Sequence, residues 1–186
     1  DTMIEHKNID GIVIATGAAS HDELALAGLV ATKHIYIEKP LSLSLAGAYA
    51  IRDAAKSAQR QVMVGHLIRY HTAFIELQKQ LAAGAIGSLC HVQANRLAMG
   101  RIRTTESVLF DLCPHDLSLI LALVGDLPNK IHCVGASHVT PGVVDFLTSF
   151  LGFDCGVSAG MQTSWLSPYK EHRLTVTGSA GAMVFD

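Results

Sequence analysis

Three short runs rich in β-branched residues, at 9–16, 34–37 and 61–65, are separated by two stretches whose apolar positions recur at helical spacing, and nothing else constrains the fold as much. The first run, Ile9-Asp10-Gly11-Ile12-Val13-Ile14-Ala15-Thr16, ends at Gly17. The second, His34-Ile35-Tyr36-Ile37, is broken by Pro40, and the third is Gln61-Val62-Met63-Val64-Gly65. Between them, residues 21–33 place Leu24, Ala27, Gly28 and Ala31 on one face, and residues 44–58 read as a second helix with Ser44 as its N-cap. Buried strands joined by crossover helices predict a parallel sheet covered on both sides.

After Gly65 the rhythm changes. Residues 72–83 predict an amphipathic helix closed by Gly84, residues 89–97 alternate like a half-buried strand, and residues 108–124 hold a strongly apolar helix ending at Gly125. From Lys130 onward, strand-like runs at 131–136, 144–150, 156–163, 173–177 and 183–185 are separated by Gly, Pro and Asp, the pattern of an antiparallel meander. Gly178-Ser179-Ala180-Gly181 reads as a β-turn, because no helix follows it. The expected organisation is a partial α/β domain over residues 1–66 and an α+β domain with a mostly antiparallel open sheet over residues 67–186.

Lysine and arginine total 14 against 16 acidic residues, so no cationic surplus exists to follow a phosphate backbone, and nucleic acid is excluded as a partner. Cys90, Cys113, Cys133 and Cys155 form no Cys-x-x-Cys pair, which predicts no metal site and reduced thiols in a cytoplasmic protein. No stretch approaches the ~18 apolar residues of a spanning helix, and the first residues do not read as an export signal, so no membrane partner is expected.

Two constellations carry chemistry. Glu38-Lys39-Pro40 falls at the carboxyl end of a predicted parallel strand, where open α/β sheets place ligands, and proline can hold a cis or otherwise sharp turn that aims the lysine. A lysine so placed can polarise a hydroxyl or carbonyl and lend it a proton. Asp111 and His115 stand four residues apart and share a face if both are helical. Pro114 is tolerated only in a first turn, so a helix starting near Asp111 is expected, with Asp111 capping it and orienting His115 as a proton acceptor.

Ile14-Ala15-Thr16, His21, Glu38-Lys39-Pro40, Val64-Gly65, Arg69-Tyr70, Gly84-Ala85-Ile86-Gly87 and Asp111-x-x-x-His115-Asp116, in this order and spacing, resemble the Gfo/Idh/MocA oxidoreductases. The resemblance covers essentially the whole chain. It implies the C-terminal part of a Rossmann domain that binds NAD or NADP, NAD being favoured, followed by a sugar-binding α+β domain. It also implies Lys39, Asp111 and His115 as the catalytic set and Thr16, His21, Glu38, Lys39 and Pro40 as cofactor contacts. A doubly wound domain usually opens with strand, G-x-G-x-x-G and helix, and this chain has no such motif. It is therefore expected to be N-terminally truncated, to bind NAD poorly and to be inactive by itself.

Further segments, at residues 65–71, 95–97, 100–103 and 164–173, look like the branch of that family acting on nucleotide-linked sugars, of the UDP-N-acetylglucosamine 3-dehydrogenase type. That likeness implies Arg69, Tyr70, Asn95, Arg96, Arg101 and Trp165 as substrate contacts. Arg69, Arg101 and Arg103 offer forked donors suited to a diphosphate, and Trp165 would stack or wall the pocket. The expected activity is oxidation of a secondary hydroxyl of a sugar by a homo-oligomer joined through the C-terminal sheet. The alternatives are a dehydrogenase of free sugars or inositols, and a non-catalytic sensor of a sugar or dinucleotide.

Overall fold

A computed structural model describes residues 3–100 and 102–186; Arg101 lies outside the described residues. The chain separates into two compact units, Asp1–His66 and Leu67–Asp186.

In the first unit, β1 (Gly11–Ile14), β2 (His34–Ile37) and β3 (Val62–Val64) form a parallel sheet in that order, joined by α1 (His21–Val30) and α2 (Leu45–Ala58). Asp22 and Glu23 stand in the first turn of α1, where the helix dipole favours negative charge. The Ser44 hydroxyl accepts from the Gly47 N–H at 2.9 Å and caps α2, which ends where Gln59 turns left-handed. Ile12, Ile14, Ile35 and Ile37 pack on Ala25 and Leu29 of α1 and on Ile51 and Ala55 of α2. Each such aliphatic side chain contributes ~2 kcal/mol when fully buried.

The burial of β1 and β2 alternates, and Val13 stays 69% exposed. Coverage on both sides, expected from the apolar runs, is corrected here. Successive crossovers of one hand lay both helices on the same face, so among the described residues neither α1 nor α2 covers the odd-numbered face of β1.

In the second unit, α3 (Thr72–Ala82) precedes the long strand β4 (Leu89–Met99). A short helix α4 (Val108–Asp111) and then α5 (Cys113–Val124) lead into β5 (Lys130–Ala136), β6 (Phe146–Gly152), β7 (Ser158–Ser164), β8 (Leu166–Gly178) and β9 (Ala182–Phe185). The sheet order is β5-β6-β7-β4-β8-β9, and every neighbouring pair runs antiparallel except β4 with β7. The expected meander is thus interrupted by β4, whose Val92 and Ala94 are fully buried and draw it to the centre of the sheet. Those residues pack with Phe74 and Leu77 of α3 and with Leu119 and Ile120 of α5. The opposite face carries exposed Val134, Phe150 and Val184.

The apolar helix expected to start near Asp111 starts at Cys113, and a short α4 precedes it. Leu112, at φ −109°, separates α4 from α5, and Pro114 sits in the first turn of α5. A proline has no N–H to give and would clash further inside a helix, so the chain breaks just ahead of it. Asp111 therefore ends α4 rather than capping α5.

Candidate active-site elements of the two units

At the carboxyl edge of the parallel sheet, the Lys39–Pro40 peptide is cis, Lys39 is half-buried and Pro40 is buried. The Glu38 N–H donates to the Ile14 carbonyl at 2.9 Å, continuing the β1–β2 ladder one residue past the strands. Gly65 leaves room for this segment, since a Cβ there would lie 2.7 Å from Tyr36 Oη and 3.1 Å from Glu38 Oε2. The Ser20 hydroxyl donates to the Gly17 carbonyl at 2.9 Å and so receives the Thr16 hydroxyl's proton at 2.7 Å. His21 opens α1 and is 1% exposed, with Nδ1 2.8 Å from the Pro40 carbonyl oxygen and Nε2 3.2 Å from that of Thr16. Of the residues expected to touch a cofactor, Thr16, Glu38, Lys39 and Pro40 thus gather on this edge. His21 lies beneath it with its ring turned to the backbone.

In the second unit, Asp111 is 9% exposed. Its Oδ2 accepts from the Trp165 indole N–H at 3.1 Å, and its Oδ1 lies 3.5 Å from Arg103 Nη2. His115, half-buried, follows Pro114 in the first turn of α5. Next to it, the Asp116 carboxylate takes both arms of Arg96, from Nε at 2.9 Å and from Nη2 at 2.6 Å, with both side chains almost fully buried. This fork ties the start of α5 to the central strand. A fixed lysine can stabilise a developing oxyanion, and a fixed imidazole can take a hydroxyl proton.

Among the described residues expected at a substrate, Arg96 and Trp165 bond the acids on either side of His115, and Asn95, Arg69 and Tyr70 do not. Asn95 and Arg96 are neighbours on β4 and point to opposite faces, as successive strand residues must. Asn95 lies on the open face, donating to Glu171 Oε1 at 2.9 Å and accepting from Gln93 Nε2 at 3.0 Å. Arg96 lies on the covered face, engaged by Asp116. Trp165 is 2% exposed and packs with Val108, Cys113 and Leu147, its indole N–H turned to Asp111. Arg69, in a 3-10 turn with the exposed Tyr70, borders a hollow lined by Leu121, Ala122, Gly125, Asp126 and Leu127. That hollow is at the carboxyl end of α5, roughly 10 Å of helix away from His115.

Asp116 stands in the motif next to His115, but the sequence patterns did not pair it with Arg96. Its signal is nevertheless present: Val92, Ala94 and Arg96 share the parity of the covered face, and a buried arginine requires a buried anion. Among the described residues, no three histidine, cysteine or acidic side chains gather as a metal site, and no helix is long and apolar enough to cross a membrane.

Residues 1–66 match the family model described as an oxidoreductase family with an NAD-binding Rossmann fold, and residues 74–184 match the GFO/IDH/MocA C-terminal domain. The chain is similar to the inositol 2-dehydrogenase of Acidothermus cellulolyticus, 32% identical over 191 residues that take in 98% of this chain and 56% of that protein. It is also similar to the UDP-N-acetylglucosamine 3-dehydrogenase of Acidithiobacillus ferrooxidans, 30% identical over 157 residues, 84% of this chain and 49% of that one. The chain thus spans about half the length of the curated relatives it matches. In the crystal structure of an inositol dehydrogenase homologue from Azotobacter vinelandii, complexed with NADH and myo-inositol, the superposition has a TM-score of 0.90 at 21% identity, covering 98% of this chain and 52% of that one. At that identity the likeness is one of fold.

Proposed function

Because the chain belongs to the Gfo/Idh/MocA oxidoreductases, we propose that the protein carrying it oxidises a secondary hydroxyl of a sugar or cyclitol with NAD. The observation that carries this reading is the placement of Lys39, held half-buried at the carboxyl edge of a parallel sheet that matches the NAD-binding model. The edge suits a dinucleotide: a Cβ built at Gly17 meets nothing within 4 Å, so the main chain past β1 is open to a ligand. When bound, NAD supplies the hydride acceptor.

This chain's own residues do the rest. Thr16, Glu38 and the Lys39-Pro40 turn hold the cofactor side. Lys39 stabilises the oxyanion that develops on the substrate, and His115 takes the hydroxyl proton. Asp111, fixed by Trp165 and Arg103, balances the charge that His115 gains. Replacing Lys39 or His115 by alanine in the full-length protein lowers turnover at least ~100-fold, the usual worth of such groups. Near-normal rates in both variants defeat the reading, and binding of NAD and sugar without nicotinamide reduction favours a sensor.

The nucleotide-linked sugar reading rests on likeness to the UDP-N-acetylglucosamine enzyme. The inositol or free-sugar reading has a specific observation in its favour. Arg103, one of the three arginines suited to a diphosphate, already lies 3.5 Å from the Asp111 carboxylate. Turnover of UDP-N-acetylglucosamine compared with myo-inositol separates the two. The open face of the six-stranded sheet, with Val134, Phe150 and Val184 exposed, is the surface we assign to a second copy in a cytoplasmic homo-oligomer.

A further inference from the structure

His21 is the polar side chain buried most completely at the lysine edge, at 1% exposure. Its ring nitrogens face two carbonyl oxygens that belong to different loops. Pro40 O, 2.8 Å from Nδ1, lies in the loop after β2, and Thr16 O, 3.2 Å from Nε2, lies in the loop after β1. A neutral imidazole donates to one of them and an imidazolium to both. The adjacent Asp22 reaches the same segment, accepting from the Ser42 hydroxyl at 3.0 Å. The first turn of α1 thereby grips the chain on either side of Leu41, and Lys39 precedes the gripped Pro40 by one residue.

We propose that His21 is a positioning residue: it bolts the Lys39-Pro40 turn to the end of β1 and so fixes the aim of the lysine, without itself touching cofactor or substrate. The proposal rests on the reading of Lys39 given above. Histidine suits the task because a rigid ring presents polar atoms at opposite edges. Of the two contacts, the one to Pro40 governs Lys39, and the one to Thr16 anchors the ring.

The amide nitrogen of asparagine falls where Nδ1 does, and that of glutamine where Nε2 does. In the full-length protein, His21→Leu and His21→Gln each lower kcat ~10- to 100-fold, the range expected when a reacting group is misplaced by about 1 Å. Both leave KM for sugar and NAD within about threefold, and His21→Asn restores most of kcat. In a Lys39→Ala background, His21→Leu costs no more than about twofold, because its effect passes through the lysine. Independently of turnover, amide hydrogen exchange over residues 41–44 quickens at least ~10-fold in His21→Leu and His21→Gln and less in His21→Asn.

Equal loss with and without Lys39, equal behaviour of the asparagine and glutamine variants, or unchanged exchange overturns the proposal. Full activity of Lys39→Ala instead overturns the reading of the lysine, a separate outcome. The exchange measurement still decides whether His21 holds the turn.

Discussion

In the N-terminal unit the turn bearing Lys39 is held by a histidine ring against two backbone carbonyls and by a carboxylate against the Ser42 hydroxyl. In the C-terminal unit the helix start bearing His115 is held by a forked Arg96–Asp116 ion pair, with an indole and a second arginine on Asp111. Both devices immobilise a side chain suited to proton chemistry, but they fail differently. A severed hydrogen bond to a carbonyl leaves a neutral group in want of a donor, whereas half of a severed ion pair leaves a charge in a dry place. The charged device is the more brittle of the two, and it is also the one that tolerates complete replacement by apolar side chains.

The largest effect follows directly. Arg96→Met leaves the Asp116 carboxylate buried and unpaired, which costs about 3–5 kcal/mol. Urea or thermal unfolding detects this as a drop confined to the C-terminal unit. Arg96→Met combined with Asp116→Leu regains most of the loss, since the pair's own desolvation disappears with it. If the double variant is as unstable as the single one, the fork contributes through shape rather than charge and the contrast between the units collapses.

Two milder substitutions set the units side by side. Trp165→Phe keeps an aromatic ring among Val108, Cys113 and Leu147 and removes the donor to Asp111. The loss of a bond to an ionised group predicts about 2 kcal/mol. Ser42→Ala in the other unit removes a hydroxyl from Asp22, also a carboxylate but in a part-buried pair that water can reach, and costs about 1 kcal/mol. Equal costs in denaturant titrations of the two variants would show that burial does not distinguish the two contacts.

The units also differ in how much of their architecture is legible in the sequence. The three parallel strands and their helices are legible because apolar run, helical repeat and capping residue agree locally, as at Ser44, and the lysine edge follows from the sheet's direction alone. The C-terminal unit withholds more. The place of β4 between β7 and β8 is a matter of long-range pairing that no local pattern encodes. The surroundings of Arg96 and Trp165 depend on which face of a strand meets a helix, and no local pattern shows that one is forked to Asp116 and the other donates to Asp111. His21 is visible in the sequence as a residue near the edge, but which way its ring points is decided by the loops that surround it. Asp111 and His115 are legible as a pair four apart, and Pro114 announces a helix start. That the start comes after Asp111 is settled by the break at Leu112.

The smallest effect at neutral pH concerns Cys113, which opens α5 between Asp111 and His115 and is 2% exposed. Burial pushes its thiol up to about 11, against the downward pull of its hydrogen bond to Thr163. An unfolded cysteine titrates near ~8.5. Below that pH both states hold the proton and the site neither gains nor loses stability with pH. As pH climbs from ~8.5 toward 11, the unfolded chain gives up its proton while the folded one keeps it, so the stability associated with the neutral buried thiol drains away. The stability of the wild type should therefore fall off more steeply with pH across this window than that of Cys113→Ala, while the two curves run parallel below pH 8. At pH 8 a disulfide reagent should label the exposed Cys90, Cys133 and Cys155 promptly and Cys113 only on unfolding. Prompt labelling of all four would mean that water reaches the start of α5. The Arg96–Asp116 fork beside it would then sit in a wetter place than its burial implies, and the 3–5 kcal/mol expected for Arg96→Met would shrink toward the cost of a surface pair, at most about 1 kcal/mol.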